Sequence, residues 1–219
     1  MNRLLITAGP THEAIDDVRY LANRSSGRMG IALAESGRDA GWRVTLLLGP
    51  VSVGPPTGVT VKRFVSTVDL EALLDREFLD CDVLIMAAAV ADYRPVETTT
   101  GKLERKGENL ILYLEPTPDL VARCACRRKP HQKIIGFALE EESVLETRAA
   151  EKLKRKNLDA LVANPIATLG AQCVSAWVFF PDGRCISPPP SKSGEVGIEK
   201  GAFAKWLVEL IDSEFRNSP

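Results

Sequence analysis

Long apolar runs are missing from this 219-residue chain: the longest, Val83 to Ala91, is nine residues, whereas a membrane-spanning helix needs roughly 20. That run reads as a buried strand continuing into a loop. Net charge is missing too. With 28 Lys and Arg against 29 Asp and Glu, the formal charge is −1, which argues against a whole-molecule nucleic-acid or membrane binder and sends the search to local patches. Histidine is scarce, and Cys81, Cys124, Cys126, Cys173 and Cys185 are odd in number and irregularly spaced. Neither a disulfide scaffold nor a structural zinc site is expected, and metal ligands stay unassigned. The start, MNRLLITAGPT, lacks the hydrophobic region of a secretory signal, so a cytoplasmic protein is expected. What remains, 45% hydrophobic and 6% aromatic residues, is the composition of a globular domain able to bury a core.

The apolar residues that are present alternate between two periods. Arg3 to Thr7, Arg43 to Leu48, Val59 to Val65, Val83 to Ala88, Ile134 to Leu139 and Leu158 to Ala163 read as buried strands. Between them, Gly27 to Ala40 and Thr67 to Leu79 carry apolar stripes at helical spacing, and Gly41 ends the first. Further helices are expected from Thr117-Pro118-Asp119, read as a capping hydroxyl followed by proline and an acid, and from Ser143 and Glu146, which have capping-box spacing ahead of a helix to about Lys156. Continuous apolar strands alternating with amphipathic helices predict an α/β fold, a three-layer α/β/α sandwich on a mostly parallel sheet. A short strand is expected at Leu110 to Leu114, a hairpin at Val174 to Ile186 around Asp182-Gly183, and a final helix at Ala202 to Phe215. We therefore expect one domain over 1–219, with a parallel core to about 165 and a small β appendage plus C-terminal helix over about 166–219.

In open α/β sheets ligands bind beyond the carboxyl ends of the strands. That selects Thr7 to Glu13, Ala87 to Arg94, Phe137 to Glu142, Asn164-Pro165 and the polar flap between Asp92 and Leu110 that carries Lys102. Asn23-Arg24-Ser25-Ser26-Gly27-Arg28-Met29-Gly30 leads into the first helix, where small residues and free N–H groups favour an anion; close helix packing explains the glycines equally. A dinucleotide fingerprint is absent, because about twenty residues separate the first strand from this helix. The second strand ends in Leu48-Gly49-Pro50, without the acid that holds an adenosine ribose. A nicotinamide-dependent reductase is disfavoured on both counts. Asn23 offers hydrogen bonds to an acyl or carboxylate oxygen, or else serves a turn or cap. Asp92 suits a ribose, a base or Mg²⁺, or stabilises a turn. Lys102, Arg105 and Lys106 on the flap, with Lys152, Lys154, Arg155 and Lys156 ending a helix, suit either a triphosphate or plain solvation.

Thr7 to Glu13 (TAGPTHE), Val18 to Gly30 (VRYLANRSSGRMG), Ala88 to Pro95 (AAVADYRP), Gly136 to Ala138 (GFA) and Arg155 to Asp159 (RKNLD) occur in this order. Together they closely resemble the phosphopantothenate-cysteine ligases of coenzyme A biosynthesis. The resemblance implies a modified Rossmann-like fold, a homodimer whose partner subunit helps to cover the site, and a two-step, Mg²⁺-requiring reaction. The carboxylate of 4′-phosphopantothenate attacks the α-phosphorus of CTP, releasing pyrophosphate, and the amine of cysteine then displaces CMP from the acyl-cytidylate. By motif, Asn23 handles the acyl-cytidylate and Lys102 is the flap lysine of activation. Met86, Ala87, Ala88, Asp92, Lys102, Thr117, Pro118, Asp119, Leu120, Phe137, Lys152 and Lys156 bind the nucleotide. Two positions depart from the family pattern: Thr117 stands where Asn is usual, and Lys102-Leu103-Glu104-Arg105 replaces Lys-x-Lys-Lys, with Lys106 as possible compensation. The length leaves no room for the flavin-dependent decarboxylase often fused to such ligases, so a separate decarboxylase is expected. A reductase and a non-catalytic nucleotide-binding domain stay as alternatives.

Overall fold

Six strands of the computed structural model run parallel: β1 (Arg3–Ala8), β2 (Arg43–Leu48), β3 (Thr60–Arg63), β4 (Val83–Met86), β5 (Lys133–Glu140) and β6 (Ala160–Pro165). Their spatial order is β3-β2-β1-β4-β5-β6, the doubly wound arrangement in which the order reverses between β1 and β4. The structure describes residues 3–105, 107–168, 173–190 and 197–216; Lys106 lies outside them. The expected β appendage takes two forms. β7 (Trp177–Phe179) and β8 (Cys185–Ile186) extend the main sheet antiparallel from β6, making it eight-stranded, while Cys173–Val174 pairs with Ile198–Glu199 as a separate ribbon. Val178 and Phe180 face one core and Phe179 the other, which is why this hairpin pairs with the sheet instead of standing off it.

Helices cover both faces, so the layers are α/β/α. Leu4, Ile6 and Ala8 of β1 pack with α1 (Arg28–Asp39) and α5 (Lys200–Ile211), whereas Leu5 packs on the face of α2 (Thr67–Glu77), α3 (Leu120–Arg127) and α4 (Leu145–Lys156). The link from β2 to β3 carries no helix. α5 therefore packs beside α1 and covers Ile135, Val162 and Val178, which would otherwise be open.

Three local expectations change. The strand at 110–114 shifts to Leu114–Pro116, which pairs antiparallel with Tyr93–Pro95; Leu110 and Ile111 are exposed and have no sheet to join. The Ser143/Glu146 box does not form, because a 3₁₀ turn at Glu142–Val144 brings the chain into α4 without a side-chain cap. The α3 cap is Asp119, whose carboxylate accepts from Ala122 N–H at 3.1 Å, and Thr117 is two residues too early.

Gly30 sets how closely α1 approaches β1. A Cβ there would lie 2.4 Å from Ala8 Cβ and 3.2 Å from the Thr7 carbonyl, both parts of a buried strand that cannot yield. Helix propensity alone favours alanine by about 1 kcal/mol, but overpacking costs about 1–3 kcal/mol. Gly30→Ala is therefore expected to lower the urea midpoint. Gly201→Ala in α5, where nothing lies within 4 Å of an added Cβ, should raise it, and a stabilised Gly30→Ala would show that α1 is not seated by this contact.

Candidate active site

At the sheet's switch point, beyond the carboxyl ends of the strands, lies a cleft of about 1080 Å³. Its walls are Asn23 to Gly30 at the start of α1, Met86 to Asp92 after β4, Thr117 to Val121 at the start of α3, Gly136 to Leu139 in β5, Lys152 and Lys156 in α4, and Lys200 in α5. Eleven nucleotide-binding candidates and Asn23 thus meet in one place: Met86, Ala87, Ala88, Asp92, Thr117, Pro118, Asp119, Leu120, Phe137, Lys152 and Lys156 all line it. Lys102 does not. Its flap is docked instead on the loop at residues 16–19. There the Asp16 carboxylate accepts Leu103 N–H at 3.0 Å, the Asp17 carboxylate accepts Gly101 N–H at 2.9 Å, and Arg19 donates to the Leu103 carbonyl at 2.7 Å.

The Asn23 side chain is a reaching group and not a helix cap. Its Nδ2 donates to the Val90 carbonyl at 2.9 Å across the cleft, while α1 is capped by Gly27 in the left-handed region (φ 69°) with no side-chain bond. The first N–H groups of α1 are thereby left for an anion. Thr117 ties α3's approach to the β4 loop: its hydroxyl donates to the Ala91 carbonyl at 2.5 Å and its N–H to the Asp92 carbonyl at 2.9 Å.

The cations are arranged differently from what the sequence indicates. Lys156 pairs with Asp119 at 2.9 Å, and Lys152 pairs with Glu140, a buried carboxylate also approached by Arg148 at 3.3 Å. Both lysines are already answered by acids. Arg28 and Lys200 are not: each is the first residue of its helix, neither has an acidic partner among the described residues, and no acid occupies the first turn of α1 or α5. Helix N-termini ordinarily favour acids. Burial first, and then the charge of Arg28, push the Lys200 ammonium below the usual lysine range. A bound anion would relieve the burial cost, the mutual repulsion and the unfavourable dipole together. Nothing in the local sequence around Lys200 distinguishes it from the solvated face of an amphipathic helix. The one signal is a cation at the wrong end of the dipole.

A model of the family described as DNA/pantothenate metabolism flavoprotein C-terminal domain matches residues 1–197. The chain belongs to that family. Among curated relatives, the coenzyme A biosynthesis bifunctional protein CoaBC of Vibrio cholerae serotype O1 is 42% identical over 218 residues, covering 97% of this chain and 52% of the relative. A protein named cysteine/cysteine sulfinic acid decarboxylase, from an unknown prokaryotic organism, is 43% identical over 170 residues, 77% of this chain and 47% of its own length. The chain spans about half the length of the curated relatives it matches. Of solved structures, the C-terminal domain of a CoaBC superposes with a TM-score of 0.82 at 32% identity, covering 99% of this chain and 97% of that one. The Cab2 H337A mutant in complex with phosphopantothenate-cysteine shares the fold, at TM-score 0.81 and 17% identity, over 98% of this chain and 87% of that one.

Of the groups that hold the flap, Asp16 is the one most tightly bound. Hydrogen bonds from Arg19, and then from the Val18, Leu103 and Arg19 N–H groups, hold the Asp16 carboxyl well below the usual aspartate range. A depressed carboxyl contributes stability above its unfolded pKa and loses it only as the pH falls through its folded one. The clamp should therefore persist at pH 4, where exposed aspartates already titrate. Asp16→Asn removes the charge at every pH. It is expected to speed tryptic cleavage at Lys102 or Arg105 several-fold without lowering the thermal midpoint by more than a few degrees. Unchanged cleavage would mean that the bonds of Asp17 to Gly101 and of Arg19 to the Leu103 carbonyl hold the flap without it.

Proposed function

We propose that this chain performs the ligase chemistry of coenzyme A biosynthesis, activating 4′-phosphopantothenate with CTP as an acyl-cytidylate and coupling it to cysteine, with release of pyrophosphate and CMP. What supports the reading is the single cleft that unites Asn23 with the β4 loop, the α3 start and Phe137, in a chain whose relatives are named for coenzyme A biosynthesis. A cleft of about 1080 Å³ is at the upper end of small-molecule pockets, which suits a nucleotide and a second substrate held together. A shallower groove of about 620 Å³, lined by His12, Tyr20, Arg24 and Arg63, shares Asn23 with it and is available to the remainder of the acid substrate.

A carboxylate does not accept an amine until it has a better leaving group, and the mixed anhydride supplies one. In both steps negative charge develops on phosphoryl or acyl oxygens, so fixed donors and cations do most of the work. The start of α1 with Arg28 and Lys200 would take the phosphates, and Asn23 the acyl oxygen. Among the described residues no three His, Cys, Asp or Glu side chains cluster to hold a metal. Mg²⁺ would then enter on the nucleotide's own phosphates, beside Asp92, a cleft carboxylate with no cationic partner among the described residues.

We also propose a homodimer. The ribbon of Tyr93–Pro95 and Leu114–Pro116 continues directly from Asp92, and Tyr93, Val96, Leu110, Ile111 and Tyr113 on and around it are exposed, Tyr113 to 77%. A second copy seated there would cover an apolar face beside the cleft and bring a flap with Lys102 close to it.

The deciding assay follows pyrophosphate from 4′-phosphopantothenate, Mg²⁺ and either CTP or ATP, with and without cysteine. Pyrophosphate with CTP, and CMP only when cysteine is added, is the expected result. Pyrophosphate with ATP alone would reassign the nucleotide. None with either, together with a fluorescence response to NADPH, would replace the ligase by a reductase. Two substitutions separate the roles within the cleft. Asn23→Ala should abolish product while leaving CTP affinity nearly intact. Lys200→Met should weaken CTP binding about tenfold, the factor that 1.4 kcal/mol gives. The reverse pattern would exchange their roles.

A further inference from the structure

The segment Thr7 to Glu13 lines no part of the main cleft, yet Thr7 and Thr11 are fully buried and Glu13 is 4% exposed. Burying a carboxylate without a cation is costly unless its hydrogen bonds are made. Glu13 makes them at the start of α2: Oε1 accepts Thr67 N–H at 2.9 Å and the Thr67 hydroxyl at 2.7 Å. A hydroxyl has one proton to give. Thr67 spends it on the carboxylate, so in its 3.3 Å contact with Thr11 it is Thr11 that donates. Thr11 Oγ1 then accepts at its other side, and Ala91 N–H reaches it at 3.0 Å. The direction of each hydrogen bond is fixed, from Ala91 through Thr11 and Thr67 to Glu13.

The N–H of Ala91 and the carbonyl of Val90 belong to one peptide plane, which is rigid. Its buried edge is the N–H held by Thr11, and its cleft edge is the carbonyl that accepts Asn23 Nδ2 at 2.9 Å. We propose that Thr11, backed by Thr67 and Glu13, is a positioning residue for Asn23, acting through the Val90–Ala91 peptide. Rotating that plane moves the acceptor on which Asn23 rests. It also shifts the Ala91 carbonyl that anchors Thr117. The activating effect on the reaction rests on the ligase reading; the mechanical link does not.

The test uses Thr11→Val, which keeps the shape and removes the hydroxyl, and Thr11→Ser, which keeps the hydroxyl. The first readout needs no substrate: the Asn23 side-chain amide protons in a ¹⁵N-labelled protein. Thr11→Val should shift them and speed their exchange, and Thr11→Ser should hold them near wild type. The second readout is the rate of pyrophosphate release, which Thr11→Val should lower about 10- to 100-fold, the range for a displaced reacting group, with the KM for the nucleotide changing less and Thr11→Ser restoring most of the rate. An Asn23 amide unchanged in Thr11→Val overturns the proposal, and so does an equal loss of rate in Thr11→Ser and Thr11→Val. Should Thr11→Val fail to fold, Glu13→Gln, whose amide oxygen still accepts both Thr67 bonds, and Glu13→Ala, which accepts neither, carry the same comparison. An Asn23 amide that shifts in Thr11→Val, alongside a wild-type protein that makes no pyrophosphate, would sink the ligase reading and leave the positioning link standing.

Discussion

The whole cleft depends on how the exit of β1 grips the exit of β4. These two parallel strands are neighbours at the point where the sheet's order reverses, and beyond their ends the backbone ladder thins to a single parallel bridge, Pro10 with Ala89, in which the Thr11 N–H donates to the Ala89 carbonyl at 3.3 Å. Side-chain hydroxyls and a left-handed glycine supplement that bridge. Thr7 Oγ1 accepts Ala88 N–H at 3.1 Å, the Gly9 carbonyl accepts Ala89 N–H at 2.9 Å, and Thr11 Oγ1 accepts Ala91 N–H at 3.0 Å. Gly9 has φ 84°, a turn that L side chains rarely adopt. These short, small residues let the loop after β4 run alongside β1's exit and present its backbone to the cleft, with its buried N–H groups satisfied from behind.

Charge is organised on the same plan. The balanced composition conceals a cleft whose acids and bases are unevenly matched. On the α4 side, Lys152 and Lys156 are held by Glu140 and Asp119. Their net field there is small, and their role is to fix positions as much as to attract. On the side of α1 and α5, Arg28 and Lys200 add to two helix N-termini whose first turns hold no acid, and among the described residues neither is paired with one, although Glu199 stands at the N-cap of α5. An anion entering the cleft is drawn toward that side, while the paired side offers a fixed polar frame to groups that carry less charge.

What the sequence made legible follows from which interactions are local. Apolar period located the core strands and the layers, because each depends on residues close together in the chain. Of the five segments picked by the rule of ligands beyond carboxyl ends, those after β4, in β5 and at Asn164 line the cleft, whereas Thr7 to Glu13 and Lys102 do not, and the start of α3 was reached through the family resemblance. Long-range pairings were not legible. Thr7, Thr11 and Glu13 were visible as a motif, but the partners that give them a purpose are about 80 residues away in the β4 loop or 54 residues away at Thr67. Lys200 enters the cleft only because α5 replaces the missing helix between β2 and β3. Asp119 displaced Thr117 as the α3 cap because Thr117 is pulled back by Ala91 and Asp92, a contact 26 residues long. The anchor of the flap was hidden for the same reason: nothing in the polar, lysine-bearing loop points to Asp16, some 87 residues earlier, which holds its base.

That anchoring bears on how the site closes. Glu104 stands where the ligase pattern has a basic residue, and the flap base is held firmly by charge-assisted bonds to Asp16 and Arg19. A flap fixed at Gly101 and Leu103 reaches its own cleft only by pivoting about those contacts, whereas a neighbouring cleft needs no such pivot if the apolar ribbon sets the spacing. The exposed side chains Tyr93, Ile111 and Tyr113 flank the flap in sequence on both sides. Covering them with a second copy would order the ribbon and place the flap by the same contact. A single association would then provide both the burial that favours the dimer and the geometry that brings Lys102 to phosphate.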